Sequence, residues 1–443
     1  MKNVALHNLG CKVNAYEIDV MQQMLQEKGY NIVSFDEHAD IYIINTCTVT
    51  NIADRKSRQM LHRAKARNPE AVVVAAGCYV QTGKEQIEKD PAIDLAVGNN
   101  RKKDIVSILE EYLEKRERQS APKTPRPVIE CMDMKDPCAY EEMTLTHTAE
   151  HTRAYIKIQD GCNQFCSYCI IPYARGRVRS RRMEEIISEI TGLSRNGYKE
   201  IVLTGIHISS YGMDFDDGSD LLSLIEKIHQ IEGICRIRLG SLEPRIVTEE
   251  FARRLGCLSK VCPHFHLSLQ SGCDATLKRM NRHYTTGEYF ECVERLRRHF
   301  VHPAITTDVI VGFPGETEEE FAKTREFLAR VQFYEMHVFR YSARKGTVAA
   351  GMKEQVPDSV KAQRSGELLR MEKEQSGRFR EKYINQVEEV LFEETKLWEG
   401  KTYQIGHTSR YVKAAKLCED NLSNRQIKGR LTKFLTEDIL LME

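Results

Sequence analysis

The stretch DGCNQFCSYC, from Asp160 to Cys169, sets Cys162, Cys166 and Cys169 in one short loop, spaced C-x3-C-x2-C. A structural zinc site closes a tetrahedron with four ligands, usually as two separated cysteine pairs. No fourth ligand follows here. Three thiolates suit a [4Fe–4S] cluster, which cysteines ordinarily hold. Three protein ligands leave the fourth iron open. An open iron takes a small molecule that offers an amino and a carboxylate group together, and the methionine end of S-adenosylmethionine offers both.

Three further cysteines stand one per strand. Cys11 follows NVALHNLG, Cys47 follows IYIINT and Cys78 follows AVVVAAG. Parallel sheets bind ligands outside the C-terminal ends of their strands, so these distant residues can converge, and a second cluster with an open iron fits them. Small buried cysteines are also common near such turns. Cys131 and Cys138 are widely spaced in a Pro-rich stretch and read as ordinary residues.

The elements that must position these residues alternate. In the first hundred or so residues, strands interleave with amphipathic helices such as AYEIDVMQQMLQEKG, where Ile18, Met21 and Leu25 recur at helical spacing. That pattern predicts a doubly wound parallel sheet over residues 1–118. SAPKTPRP breaks it, and residues 119–152 read as a linker. From 153 to 375, the strands AYIKIQ, EIVLTG, CRIRLG, HFHLSL, ITTDVIVGF and EMHVFRY predict a (β/α)6 partial TIM barrel, with its site at the C-terminal strand ends. Residues 376–443 read as short strands with polar turns, hence a small β-barrel.

Composition narrows the class. The chain has 443 residues, 14 cysteines and a net charge of +1. No apolar run approaches membrane length and the N-terminal apolar stretch is too short for a signal peptide, so a cytoplasmic protein without membrane contact is expected. In that reducing compartment, cysteines point to metal, catalysis or burial and not to disulfides. The near-neutral charge argues against a broad grip on nucleic acid, which leaves local patches. One such patch is YARGRVRSRR, with Arg175, Arg177, Arg179, Arg181 and Arg182 and no acid between them. It suits phosphate contacts, or it is a solvated basic loop.

With these residues in view, the spacing of Cys162, Cys166 and Cys169, and Tyr168 before the last of them, resemble the radical S-adenosylmethionine superfamily. LTGIH then puts Gly205 where that superfamily's backbone meets the methionine amino group. RLGSLEP offers Ser241 and Glu243 to ribose hydroxyls, LSLQSG brings Gln270, and DVIVGFPGET brings Asp308 and a glycine turn. LGCKVNAYE, NTCTVTNIADRKSR, AAGCYVQ and GCNQFCSYCIIPYARGRVRSR resemble the methylthiotransferases, and the C-terminal barrel looks like their TRAM domain.

The resemblance implies an enzyme with two [4Fe–4S] clusters, on Cys11, Cys47 and Cys78 and on Cys162, Cys166 and Cys169. It implies two S-adenosylmethionines per turnover, one as methyl donor and one as source of a 5′-deoxyadenosyl radical. It also implies a sulfur source, an electron donor such as flavodoxin or ferredoxin, and a tRNA anticodon stem-loop. GCKVN looks like the branch acting on N6-threonylcarbamoyl-adenosine at tRNA position 37, whereas GCQMN and GCPKN mark the isopentenyl-adenosine and ribosomal-protein branches. The threonyl carboxylate needs a cation, for which Arg175 or Arg177 is expected. A reading from another class is a non-catalytic iron–sulfur RNA-binding sensor, which would need no S-adenosylmethionine.

Overall fold

The computed structural model describes residues 1–118, 127–134, 136, 138–147 and 152–443. The strands Ile41–Thr46 and Val72–Gly77 are buried at every position, as expected of parallel strands covered on both faces. Alternate residues pack to opposite sides. Ile41, Ile43, Val72 and Val74 meet Tyr16, Met21 and Leu25 of the helix Lys12–Glu27 and Ile105 and Leu109 of the helix Ile105–Arg118. Tyr42, Ile44, Val73 and Ala75 meet Leu61 and Ala64 of the helix Asn51–Arg67 on the other side. The parallel sheet runs in the order Asn31–Val33, Asn3–Asn8, Ile41–Thr46, Val72–Gly77, Leu95–Val97, Val128–Glu130. The order of connection reverses between Asn3–Asn8 and Ile41–Thr46, and such a switch point opens a crevice at the C-terminal strand ends.

The stretch expected to be a linker departs from that description. Val128–Glu130 adds an edge strand beside Leu95–Val97, and Met143 and Leu145 are buried in the core of the first sheet. An edge strand of this length needs only backbone hydrogen bonds, so it leaves little periodicity to read. Most of SAPKTPRP lies outside the described residues.

Six parallel strands follow in chain order: Arg153–Asp160, Glu200–Gly205, Arg236–Leu239, His264–His266, Ala304–Val311 and Glu335–Arg340. Two isolated bridges, Ile237 to Val261 and Leu242 to Leu267, join the first three to the last three. Their apolar residues turn outward. Ile156, Ile158, Ile201, Leu203, Ile237, Phe265, Val309 and Met336 share one core with Ile186, Ile225, Val293 and Leu328 of the surrounding helices. The alternate positions turn inward and are polar: Lys157, Gln159, Glu200, Arg238, His264, His266, Asp308 and His337. The helix Lys12–Glu27 lies against the first two strands and closes that side of the lumen.

The helix Asp358–Glu381 runs across the boundary expected at residue 375. It leads into a closed five-stranded barrel of Val387–Trp398, Lys401–Thr408, Lys413–Leu417, Ile439–Met442 and Gln426–Phe434. This barrel seals the N-terminal ends of the six strands. Arg236 donates to the carbonyls of His407 and Glu389, Arg238 to that of Ser409, and Arg153 pairs with Glu393.

Candidate active site between two facing sheets

The first triplet sits at the switch point of the N-terminal sheet. Cys11 caps the helix Lys12–Glu27 and Cys78 opens the helix Cys78–Thr82. Gly77 makes its turn at φ 93°, and a Cβ there would lie 2.5 Å from Asn45 Oδ1. A Cβ on Gly10 would lie 3.3 Å from the Cβ of Cys47 and 2.9 Å from Asn14 Nδ2, so glycine lets the two cysteine turns touch. Asn14 ties them further by donating to the carbonyls of Leu9 and Thr46. Burial raises the Cys11 thiol and pushes Cys47 up to about 11, and both feel Cys78 as a neighbouring charge.

The second triplet lies in the loop after Arg153–Asp160. Gly161, at φ 72°, has no room for a side chain, because a Cβ would overlap the Arg177 carbonyl at 1.8 Å. Ser167 donates to the carbonyl of Arg279, Asn281 donates to those of Gln164 and Phe165, and Tyr168 packs edge-on to Phe313. Arg282 Nη1 lies 3.3 Å from Cys166 Sγ. Burial, then Cys166, pushes Cys169 up to about 12. A thiol in such surroundings stays protonated until a metal displaces the proton. Among the described residues, no three His, Cys, Asp or Glu side chains close on a single metal ion. In a [4Fe–4S] cubane each thiolate holds a different iron, so its three cysteines need not close on one point.

The two triplets are fastened to one another. Asn99 Nδ2 donates to the Ala174 carbonyl at 2.7 Å and lies 3.6 Å from Cys78 Sγ. Arg344, beyond the last strand of the six, reaches Thr48 Oγ1, Asn51 Oδ1 and Asp54, all just after Cys47. Arg175 ends the short helix Ile171–Arg175 that follows Cys169. It donates to Asn14 Oδ1 at 2.9 Å, Glu17 Oε1 at 2.8 Å and Asp160 Oδ2 at 3.1 Å. Lys102 and Lys157 complete this buried network on Glu17. Burial opposes ionisation of Asp160, but Lys157 and then Arg175 overcome it and hold the carboxyl well below its usual range. Four cations, counting Arg179 at 3.8 Å from Asp160 Oδ2, face two carboxylates, so positive charge is left over. It lies beside Cys78, the largest influence favouring the charged form of Arg175. A net anionic cluster fits there.

The expectation that Arg175 meets a substrate carboxylate is therefore corrected. The residue is 1 % exposed and engaged by Glu17, Asp160 and Asn14. Arg179 and Arg181 are likewise buried, Arg181 on Glu189, so most of the basic loop is internal. Arg177 is exposed and stacks on Phe165 of the cysteine loop, 4.5 Å from the ring centre. Cys131 lies 3.1 Å from Gln81 Oε1, and Cys138 accepts from Arg179.

The remaining expected residues line the same end of the lumen. Gly205 ends its strand against Gln159, whose carbonyl would lie 2.9 Å from a Cβ. Ser241 is exposed just past Arg236–Leu239, and Glu243 is largely buried, with Arg245 Nε at 3.2 Å. Gln270 adopts φ 72°, a left-handed conformation that a non-glycine residue keeps only when its surroundings enforce it. Its N–H donates to the Asp308 carbonyl. Asp308 Oδ2 lies 3.4 Å from His266 Nε2. Sequence reasoning named none of Lys12, Asn14, Arg282 and Arg344 individually, although GCKVN contains the first two; Asn14, Arg282 and Arg344 acquire their roles through partners elsewhere in the chain. A cavity of about 510 Å³ between the helix Asp358–Glu381 and the outside of the six strands contains none of the cysteines.

The chain is similar to known proteins along nearly its whole length. Residues 156–328 match the radical SAM superfamily, and residues 3–98 match the uncharacterized protein family UPF0004. The chain is 40 % identical over 434 residues to the threonylcarbamoyladenosine tRNA methylthiotransferase MtaB of Bacillus subtilis, covering 98 % of this chain and 94 % of that one. It is 38 % identical over 413 residues to the tRNA-2-methylthio-N(6)-dimethylallyladenosine synthase of Caldicellulosiruptor saccharolyticus, covering 90 % and 85 %. The fold is similar to that of the radical S-adenosylmethionine methyltransferase TsrM from Kitasatospora setae, with TM-score 0.55, 16 % identity and coverage of 76 % and 75 %. With such identity along almost its whole length, this chain belongs to the tRNA methylthiotransferases of the radical S-adenosylmethionine superfamily.

Proposed function

We propose that the enzyme converts N6-threonylcarbamoyl-adenosine at tRNA position 37 into its 2-methylthio derivative. The observation that carries this reading is the meeting of two cysteine triplets, each at the C-terminal ends of a parallel sheet, around one polar lumen. Cys162, Cys166 and Cys169 would hold one [4Fe–4S] cluster, and Cys11, Cys47 and Cys78 a second. When bound, the clusters and two S-adenosylmethionines supply an electron, a methyl group, a sulfur site and a 5′-deoxyadenosyl radical able to attack an inert C–H bond.

The chain's own part is to hold and to shield. Gly205 and Gln159 would offer backbone to the methionine amino group of S-adenosylmethionine, and Ser241 and Glu243 would serve its ribose hydroxyls. Tyr168 fixes the cysteine loop through Phe313, and Gln270 and Asp308 line the path to the substrate. The terminal barrel is read as a TRAM-like domain that grips the anticodon stem-loop by backbone and shape. Lys428, Arg430 and Lys433 are exposed along its strand Gln426–Phe434. The six central strands are read as a (β/α)6 partial TIM barrel. No helix among the described residues is long and apolar enough to cross a membrane, and the proposed site of action is the cytoplasm, with a flavodoxin or ferredoxin as reductant and a separate sulfur source.

The test is nucleoside analysis of tRNA from cells with and without this protein. Loss of the methylthio-threonylcarbamoyl nucleoside supports the reading. Loss of methylthio-isopentenyl adenosine instead moves the enzyme to the other branch.

A further inference from the structure

We infer that Lys12 is the specificity residue that receives the carboxylate of the threonylcarbamoyl group. The inference rests on the proposed substrate. Lys12 directly follows Cys11 and opens the helix that lines the lumen. It is exposed and makes no hydrogen bond or ion pair among the described residues. Standing one residue after Cys11, at the start of the helix that lies against Arg153–Asp160 and Glu200–Gly205, it is set between the first triplet and those strands, and besides burial the charges that act on it are those of Arg238, Arg153, Glu200 and Cys11.

The other cations there are committed. Arg238 Nε donates to Glu200 Oε1 at 2.9 Å, Arg153 pairs with Glu393, and Arg236 is held by Glu200 and the carbonyls of His407 and Glu389. Lys12, Arg153, Arg236 and Arg238 thus share Glu200, Glu389 and Glu393, and the remaining positive charge at this end of the lumen favours an anion. Arg282 stands apart from it, against Cys166 of the second triplet, so a carboxylate of S-adenosylmethionine on that side has its own cation. The purine geometry agrees. C2 and the carbon bearing N6 both flank N1, so when C2 sits between the two triplets, a substituent on N6 stays close to the groups around them.

The test uses the full-length enzyme with both clusters reconstituted and three anticodon stem-loop RNAs. One carries threonylcarbamoyl-adenosine, one its methyl ester and one isopentenyl-adenosine. Lys12→Gln is expected to lower kcat/KM on the acid by about 30-fold or more, the loss typical of removing one partner of a buried, hydrogen-bonded charge pair. Wild type should disfavour the ester by a similar factor, Lys12→Gln should treat acid and ester nearly alike, and Lys12→Arg should recover part of the preference. Iron content should match the wild type in both variants. Wild-type turnover of the acid with Lys12→Gln within twofold of it overturns this inference alone, and so does loss of half the iron in Lys12→Gln, which would assign the ammonium to the cluster. Wild-type preference for the isopentenyl RNA overturns the functional reading and this inference with it.

Discussion

Replacing Arg175 by Met separates a structural cation from a substrate-binding one. The substitution keeps much of the side-chain volume and removes the hydrogen bonds to Glu17, Asp160 and Asn14. Taking one partner from a buried ion pair costs about 3–5 kcal/mol. Lys102 and Lys157 still hold Glu17, so the lower end, about 3 kcal/mol, is expected. That is a large part of the roughly 5–15 kcal/mol by which a protein is ordinarily stable. The variant also deprives the first triplet of a neighbouring positive charge and frees Asn14, which joins the Cys11 and Cys47 turns. Hydrogen exchange across Lys12–Glu27 should accelerate about 100-fold or more if opening there follows the lost stability. Anaerobic reconstitution should lose the Cys11, Cys47 and Cys78 cluster before the other, seen as a drop toward half the iron. Unchanged exchange and iron with a raised KM for tRNA would refute this and return Arg175 to the substrate.

Two four-iron clusters should give about eight irons per chain. Replacing Cys162, Cys166 and Cys169 together by Ala should remove half and abolish S-adenosylmethionine cleavage, and replacing Cys11, Cys47 and Cys78 should remove the other half, as read by iron assay and EPR. Against the cost of burial, Glu17 and Asp160 are both held below the ordinary carboxylate range by Arg175 and the lysines. Their contribution is full above the unfolded values of about 4 and is lost as pH falls through the depressed folded ones, so Glu17→Gln should flatten a stability profile that falls steeply in acid. Reversing Lys428, Arg430 and Lys433 to Glu should weaken tRNA binding and reduce the slope of log affinity against log salt by about 2. Deleting the terminal barrel is a harsher change, because it strips the partners from buried Arg153 and Arg236, and a loss of solubility is expected with it.

What the sequence made legible follows from what is local. Cys11, Cys47 and Cys78 stand out because each ends an apolar run, and the end of a parallel strand is a place defined by its own few residues. RAYIKIQD and CRIRLG are equally regular, with polar and apolar residues alternating. A sequence cannot say whether such a face meets water or a lumen lined by another domain. Here Lys157 and Arg238 turn inward, to Glu17 and Glu200. RGRVRSRR misled for the same reason, since its acids, Glu17, Asp160 and Glu189, stand elsewhere in the chain. Val128–Glu130 escaped notice because a three-residue edge strand carries too few alternations to register.

The facing arrangement also constrains what can enter. Asn99, Arg175 and Arg344 each bind a separate cysteine turn of the first sheet to the six-stranded domain, so the gap between the triplets is set by three independent contacts. Chemistry on a base between the two triplets requires access to an atom that stacking and pairing cover inside a duplex. The reacting base must therefore arrive alone, unstacked from its neighbours. Extruding a base from a duplex costs a few kcal/mol, and a base already in a loop escapes most of that cost. The proposed target, a nucleotide of the anticodon loop, meets this condition. The same rigidity predicts that Arg344→Gln, which loosens the Cys47 turn without touching either triplet, lowers the rate of methylthio transfer more than the rate of S-adenosylmethionine cleavage. The two are compared by counting 5′-deoxyadenosine formed per methylthio product, and an unchanged ratio would show that the gap does not depend on that contact.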